Sequence, residues 1–213
     1  MKSGDLKYLM ASILPLIPHC SELSYFASIP TSFYTTGLIL FTMEAVKRFF
    51  SSPRFAVAGA SNDSRKFGYK RTSPKNTMLL CRLTLIVLAW YHQHSLPVTP
   101  LNPRSPSIQL SPAHSYDTVA SPRLLSSPSQ TSLSVVTPPA VTLPLLQEAH
   151  SVGIPAVWLQ PGTFDNSVLD FARSHFEAVI AGDGGRGSEG WCVLVDGEEG
   201  LEAAGVNWTS QRL

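Results

Sequence analysis

Charge is scarce in this chain: 15% of its residues are Asp, Glu, Lys or Arg, and they nearly cancel to a net +1. Without a basic stripe to neutralise a run of phosphates, nucleic acid is not an expected partner. Cysteine is scarcer still. The three cysteines, Cys20, Cys81 and Cys192, are far apart and odd in number, with no CxxC and no paired His spacing. That excludes a disulfide framework or a structural metal from the expectation and points to a reducing compartment. A long apolar run is also missing. Residues 1–42 are apolar, but Pro15, Pro18 and Pro30, with His19 and Glu22, break them short of the roughly 20 apolar residues a spanning helix needs. The same stretch lacks the Arg-rich amphipathic pattern of a mitochondrial presequence. A cytoplasmic protein with no membrane partner is expected, mitochondrial targeting being the alternative.

What is present suits one α/β domain. The 213 residues are 44% hydrophobic, with 17 Pro and 14 Gly, so one core with long loops is expected. Residues 43–50 (MEAVKRFF) have helical spacing and stop at Ser51-Ser52-Pro53. Short apolar runs then recur: RFAVA at 54–58, LPVTPL at 96–101, LSVV at 133–136, AVWL at 156–159 and AVIA at 178–181. Each is bounded by Gly, Pro or Asn, as for strands buried on both faces of a parallel sheet. Helical periodicity over 141–152 ends at Gly153, and a second helix follows Asp165, a good N-cap. Residues 103–130, rich in Ser and Pro, read as a long surface connection whose two weak apolar pieces pack locally. Alternating strands and helices give a Rossmann-like, doubly wound parallel sheet, which binds its ligand beyond the carboxyl ends of the strands.

The candidate ligand residues sit at those ends. Gly59, Ala60 and Ser61 follow the first strand, and Arg65, Lys66 and Phe67 come just after. Small residues there let backbone amides approach an anion, and the two cations add charge. Asn102 and Pro103 close the second strand, and Thr137, Pro138 and Pro139 the third. Gln160 and Gly162 close the fourth. The loop at 182–190, with five glycines in nine residues, is expected either to close over a ligand or a subunit neighbour through Arg186 or to be a mobile connection to a short strand at CVLVDG. Trp158 and Cys192 read as core. No catalytic residue is assigned, because His92, His94, His114, His150 and His175 fall into no acid-histidine-nucleophile grouping.

Four ordered segments resemble the CoA-binding domain family, small Rossmann-type proteins related to the amino-terminal domain of the succinyl-CoA ligase alpha subunit. They are RFAVAGAS with KFGYK (54–61 and 66–70), PVTPLNP (97–103), SVVTPPAVTLPLLQEAHSVGIPAVWLQPG (134–162) and DGGRGSEGWCVLVDG (183–197). The resemblance implies that the strand-end loops named above bind CoA or an acyl-CoA, with no chemistry of the chain's own. The resemblance also implies the wider NAD(P)-binding superfamily of Rossmann folds. The alternatives are an NAD(P) oxidoreductase or a subunit of an acyl-CoA ligase-related enzyme. NAD(P) is the weaker ligand because the first loop has only Gly59 and Gly68 in place of GxGxxG. In addition, the second strand runs into Asn102 and Pro103 where an acid would hold the ribose. A small nucleotide ligand is thus the expected partner, with a second copy of the chain left open.

The resemblance is broken at residues 71–88. There RTSPKNTMLLCRLTLIVL separates GYK from AWYHQH, which the family joins in one helix. The segment is either a true insertion or an intron translated in frame. The intron is favoured because its codons admit a splice donor at Arg71, a branch point at Leu83-Thr84 and an acceptor at Ile86-Val87. Residues 1–42 are expected to be an extension upstream of a natural start at Met43. The expected domain runs over 43–197, followed by a tail at 198–213.

Overall fold

The structure, a computed structural model, describes residues 43–61, 85–182, 185–186 and 190–213. Helix α1 (43–50) turns Val46, Phe49 and Phe50 inward, the i, i+3, i+4 spacing of one helical face. Strand β1 (Arg54–Ala58) follows, then α2 (85–93) and β2 (Val98–Leu101). A hairpin of β3 (Ser107–Ser111) and β4 (His114–Asp117) precedes β5 (Thr131–Val135). The chain then alternates through α3 (Pro139–Ser151), β6 (Ala156–Leu159), α4 (Asn166–His175), β7 (Ala178–Ile180) and α5 (Val193–Ala203).

The main sheet has five parallel strands in the order β2-β1-β5-β6-β7. Successive strand residues point to opposite faces, so each face has its own core. Phe55, Val57, Trp158 and Ile180 pack on one side with Phe49, Phe50, Trp90, Tyr91, Val193 and Leu201, which belong to α1, α2, α5 and their flanks. Ala56, Ala58, Leu133, Val135, Val157 and Leu159 pack on the other with Leu146, Ala149, Val168 and Ala172 of α3 and α4. This is the doubly wound α/β arrangement the sequence implies, and Trp158 is core as expected, fully buried.

The central strand is unusual in burying hydroxyls on the α1/α2 side. Ser132 Oγ lies 2.8 Å from both Phe49 O and Ser52 Oγ, with its single proton to donate between them, and Ser134 Oγ meets Tyr91 Oη at 2.8 Å. Each polar atom is thereby satisfied inside the core. Burial pushes the Tyr91 phenol above its ordinary range, with Ser134 opposing weakly.

Two expectations are corrected. Residues 103–130 hold more than local packing: Ser107–Asp117 form an antiparallel hairpin in which Ile108 pairs with Tyr116 and is fully buried. Its alternation is too short to stand out among Ser and Pro. The short strand expected at CVLVDG is instead the start of α5, whose buried positions Val193, Asp196, Gly197, Gly200 and Leu201 have helical spacing. Gly197 and Gly200 are required there. A Cβ on Gly197 would lie 2.4 Å from the Trp90 ring, and one on Gly200 would lie 2.6 Å from Phe50 and Val46. The expected domain end at Gly197 therefore falls inside a helix. Residues 1–42 and most of 71–88 lie outside the described residues; Leu85 to Leu88 form the start of α2 as described. Among the described residues no helix is long and apolar enough to cross a membrane.

Candidate functional site

From β1 the chain first goes to β2 on one side, then places β5 on the other. The sheet order reverses there, and this switch point is where open α/β sheets leave a crevice beyond the strand ends. The loops after β1 and β5 therefore define the candidate site.

Gly59 follows β1 at φ +101°, and its N–H donates to Leu101 O of β2 at 3.3 Å. A Cβ on it would stand 3.0 Å from Val136 O and 3.1 Å from Thr137 Cγ2. Two independent reasons, backbone conformation and contact with the β5 loop, thus select glycine. Ala60 is fully buried. Its carbonyl accepts from Asn102 Nδ2 at 2.5 Å, while Asn102 Oδ1 accepts from Arg104 N at 2.8 Å. Asn102 consequently ties the end of β2 to the loop after β1. Pro103 lies exposed in the turn beyond it.

On the β5 side Val136 N donates to Ala58 O at 3.0 Å. Thr142 Oγ1 donates to Thr137 O at 2.9 Å and Pro138 O at 3.1 Å, so the 2.8 Å contact of the two hydroxyls has Thr137 as donor. Pro138 is the N-cap of α3 and Pro139 its first residue, where a missing N–H costs nothing. The amino end of α3, with its partial positive charge, therefore begins at the switch point.

The other half of the same edge is closed. Gln160 is fully buried, and its Oε1 accepts from Val193 N at 3.1 Å, so the side chain caps α5. Gly162, at φ +83°, is the third residue of a turn in which Thr163 N donates to Gln160 O at 3.1 Å. With Pro161 second, this is type II turn chemistry. Asp196, 2% exposed, accepts from Arg186 N at 2.7 Å and Cys192 N at 2.9 Å, closing the loop after β7 on itself. Gly185 fits against it, since a Cβ there would lie 2.7 Å from Asp196 Oδ2. Arg186 turns its guanidinium to Glu199 at 3.1 Å.

Residues 82–184 match the CoA binding domain family. No curated protein matches the chain. Solved structures similar to it include a hypothetical protein from Pyrococcus horikoshii OT3 (16% identity, TM-score 0.54, covering 83% of this chain and 99% of that one). Prb, a protein redesigned for binding, aligns at 15% identity and TM-score 0.52 over 78% of this chain and 94% of its own. A conserved hypothetical protein from Pyrococcus furiosus shares 23% identity over 67% of this chain and 97% of its own, at TM-score 0.47.

The match to the CoA binding domain family takes in β2, β5, β6 and β7 but begins after β1. The structure supplies β1 as the strand joining β2 to β5. Of the sequence-based candidates, Gly59, Ala60, Ser61, Asn102, Thr137, Pro138 and Pro139 lie on the loops beside the switch point, whereas Gln160 and Gly162 belong to the closed half. Arg65, Lys66 and Phe67 lie outside the described residues. Sequence reading missed Asp196, because a carboxylate inside a supposed strand gives no signal until 192–197 is recognised as a helix start. Among the described residues no three His, Cys, Asp or Glu side chains are grouped to hold a metal.

Proposed function

We propose that the chain binds CoA or a short acyl-CoA at the switch point between β1 and β5, as a binding module without chemistry of its own. The observation that carries this reading is the close junction of the β1 and β5 loops at Gly59. There a glycine that admits no side chain, the start of α3 and the Asn102-held loop meet in a fold whose residues 82–184 match a CoA binding domain. Backbone amides and a helix start suit the pyrophosphate, and Arg65 with Lys66 add positive charge to the same loop.

The binding domain is taken to begin near Met43, with residues 71–88 inserted between β1 and α2. A family match that opens at residue 82, past a strand the sheet needs, supports such an interruption. Transcript sequencing tests its origin: a mature message keeping codons 72–86 rules out the intron.

Calorimetric titration with CoA, acetyl-CoA, NAD and NADP tests the ligand. CoA or acetyl-CoA is expected to bind more tightly than either dinucleotide, and tighter NAD binding refutes the reading. Arg65→Ala combined with Lys66→Ala is expected to weaken CoA binding by about 1–3 kcal/mol through lost charge-assisted bonds.

A further inference from the structure

We infer that a cavity at the amino ends of β1 and β2 is a second ligand site, and that it takes a small organic acid with one carboxylate and a short apolar body. The inference does not rest on the CoA reading. The cavity has a volume of about 380 Å³, at the small end of the range for ligand pockets. Arg54 at the start of β1, Leu96 and Pro97 ahead of β2, His92 of α2, Tyr116 of β4 and Gln211 line it. Arg54 and Ala58 stand at opposite ends of β1, roughly 13 Å apart at the usual rise per strand residue. The cavity therefore lies on the other edge of the sheet from the Gly59 loop.

Its walls offer donors and no carboxylate. Arg54 is exposed and belongs to no ion pair among the described residues. His92 is 7% exposed, and its Nδ1 lies 2.6 Å from Tyr116 Oη. That contact uses one proton. In either neutral tautomer a second proton, on His92 Nε2 or on Tyr116 Oη, has no acceptor among the described residues. The backbone adds a further donor. Phe55 N donates to Pro97 O at 2.8 Å, so the alternation of the strand turns the Val98 amide away from β1, onto the outer edge of β2 beside the cavity. Farther along that edge Val119 N takes Pro100 O at 3.2 Å.

The carboxyl end of α2 would oppose an anion if its carbonyls were free. They are occupied: Trp90 O, Tyr91 O, His92 O and Gln93 O accept from His94 N, Leu96 N, Ser95 N and Gln211 N at 3.1, 3.0, 2.9 and 2.8 Å. The last of these bonds also holds the Gln211 wall in place, with Ser95 Oγ donating to Thr209 O at 2.6 Å. One permanent cation among neutral donors balances one negative charge, which favours a monocarboxylate over a phosphate dianion. Leu96 and Pro97 cover its apolar body.

The test is a titration of the full 15N-labelled chain with butyrate and, separately, with inorganic phosphate, in the wild type, Arg54→Gln and Arg54→Lys. In the wild type the Val98 amide resonance is expected to shift saturably with butyrate while the Gly59 amide stays in place. Arg54→Gln, at an exposed position, should keep the wild-type urea midpoint and bind butyrate about tenfold more weakly or worse, the loss of one charge-assisted bond. Arg54→Lys, which keeps the charge, should recover part of the affinity. If Arg54→Gln does not fold, the wild-type Val98 response and the Arg54→Lys affinity decide the matter. A Val98 amide unmoved by butyrate, a folded Arg54→Gln that binds butyrate like wild type, or phosphate that moves Val98 at lower concentration than butyrate overturns the inference.

Discussion

The two halves of the sheet's carboxyl edge solve the same problem differently. Around β6 and β7 the polar groups released at strand ends find partners in side chains of this chain. Gln160 caps α5, Thr163 Oγ1 donates to Gln160 O at 2.7 Å, and Asp196 takes two amides of the loop it underlies. Around β1 and β5 the contacts are made by glycine and backbone, with Asn102 the main side-chain tie across strands. One half of the edge is thus closed by buried side chains and the other is held by glycine and backbone, and the proposed ligand surface lies in the second half.

Breaking the closed half has the largest expected effect. Asp196→Ala leaves the buried Cys192 N–H and the partly buried Arg186 N–H without their acceptor. Charged-acceptor bonds of this kind contribute about 1.5–3 kcal/mol each. A loss of about 3 kcal/mol is expected in urea unfolding, and a loss under 1 kcal/mol would mean the loop is not held by this carboxylate.

Next is Gly59→Ala, which combines positive φ with contacts at 3.0 and 3.1 Å to the β5 loop. About 1–3 kcal/mol of destabilisation is expected from backbone strain of this kind, together with weakened CoA binding; unchanged affinity would move the ligand away from this loop.

Tyr91→Phe strands Ser134 Oγ in the core and should cost about 1–2 kcal/mol near neutral pH; Tyr91→Phe with Ser134→Ala should recover much of it. The same phenol gives an alkaline limb. Its folded pKa is raised by burial, so its contribution is fully present below the unfolded tyrosine value of about 10 and is lost as pH rises beyond that. Unfolding curves at successive alkaline pH values should therefore fall less steeply in Tyr91→Phe.

The smallest effect sharpens the comparison. Gln160→Leu removes the cap on Val193 but also removes Nε2, a buried donor with no hydrogen-bond partner among the described residues. The two terms oppose, so the stability change should stay within about 1 kcal/mol and CoA affinity should not move. A large loss of CoA affinity would return Gln160 to the ligand surface, where sequence reading placed it.

The alternation of apolar runs made the five sheet strands legible, because a strand covered on both faces needs a short continuous apolar stretch. The hairpin at Ser107–Asp117 was not legible: one buried residue, Ile108, carries its inner face. Gly59, Asn102 and Thr137 were legible as positions just past strand ends, because each closes an apolar run. Their division of labour was not, since which side chain caps a helix and which faces a crevice depends on contacts across the chain, such as Gln160 with Val193, 33 residues apart. The start of α5 was misread because Gly197 and Gly200 are poor helix formers that are present to admit Trp90 and Phe50.

The most direct measurement of the central claim is a calorimetric titration of the wild-type chain and of Gly59→Ala with CoA and with NAD. Saturable CoA binding to the wild type, tighter than NAD and clearly weakened in a folded Gly59→Ala, is the predicted result. NAD binding at least as tight as CoA, or CoA binding indifferent to Gly59→Ala, would contradict it.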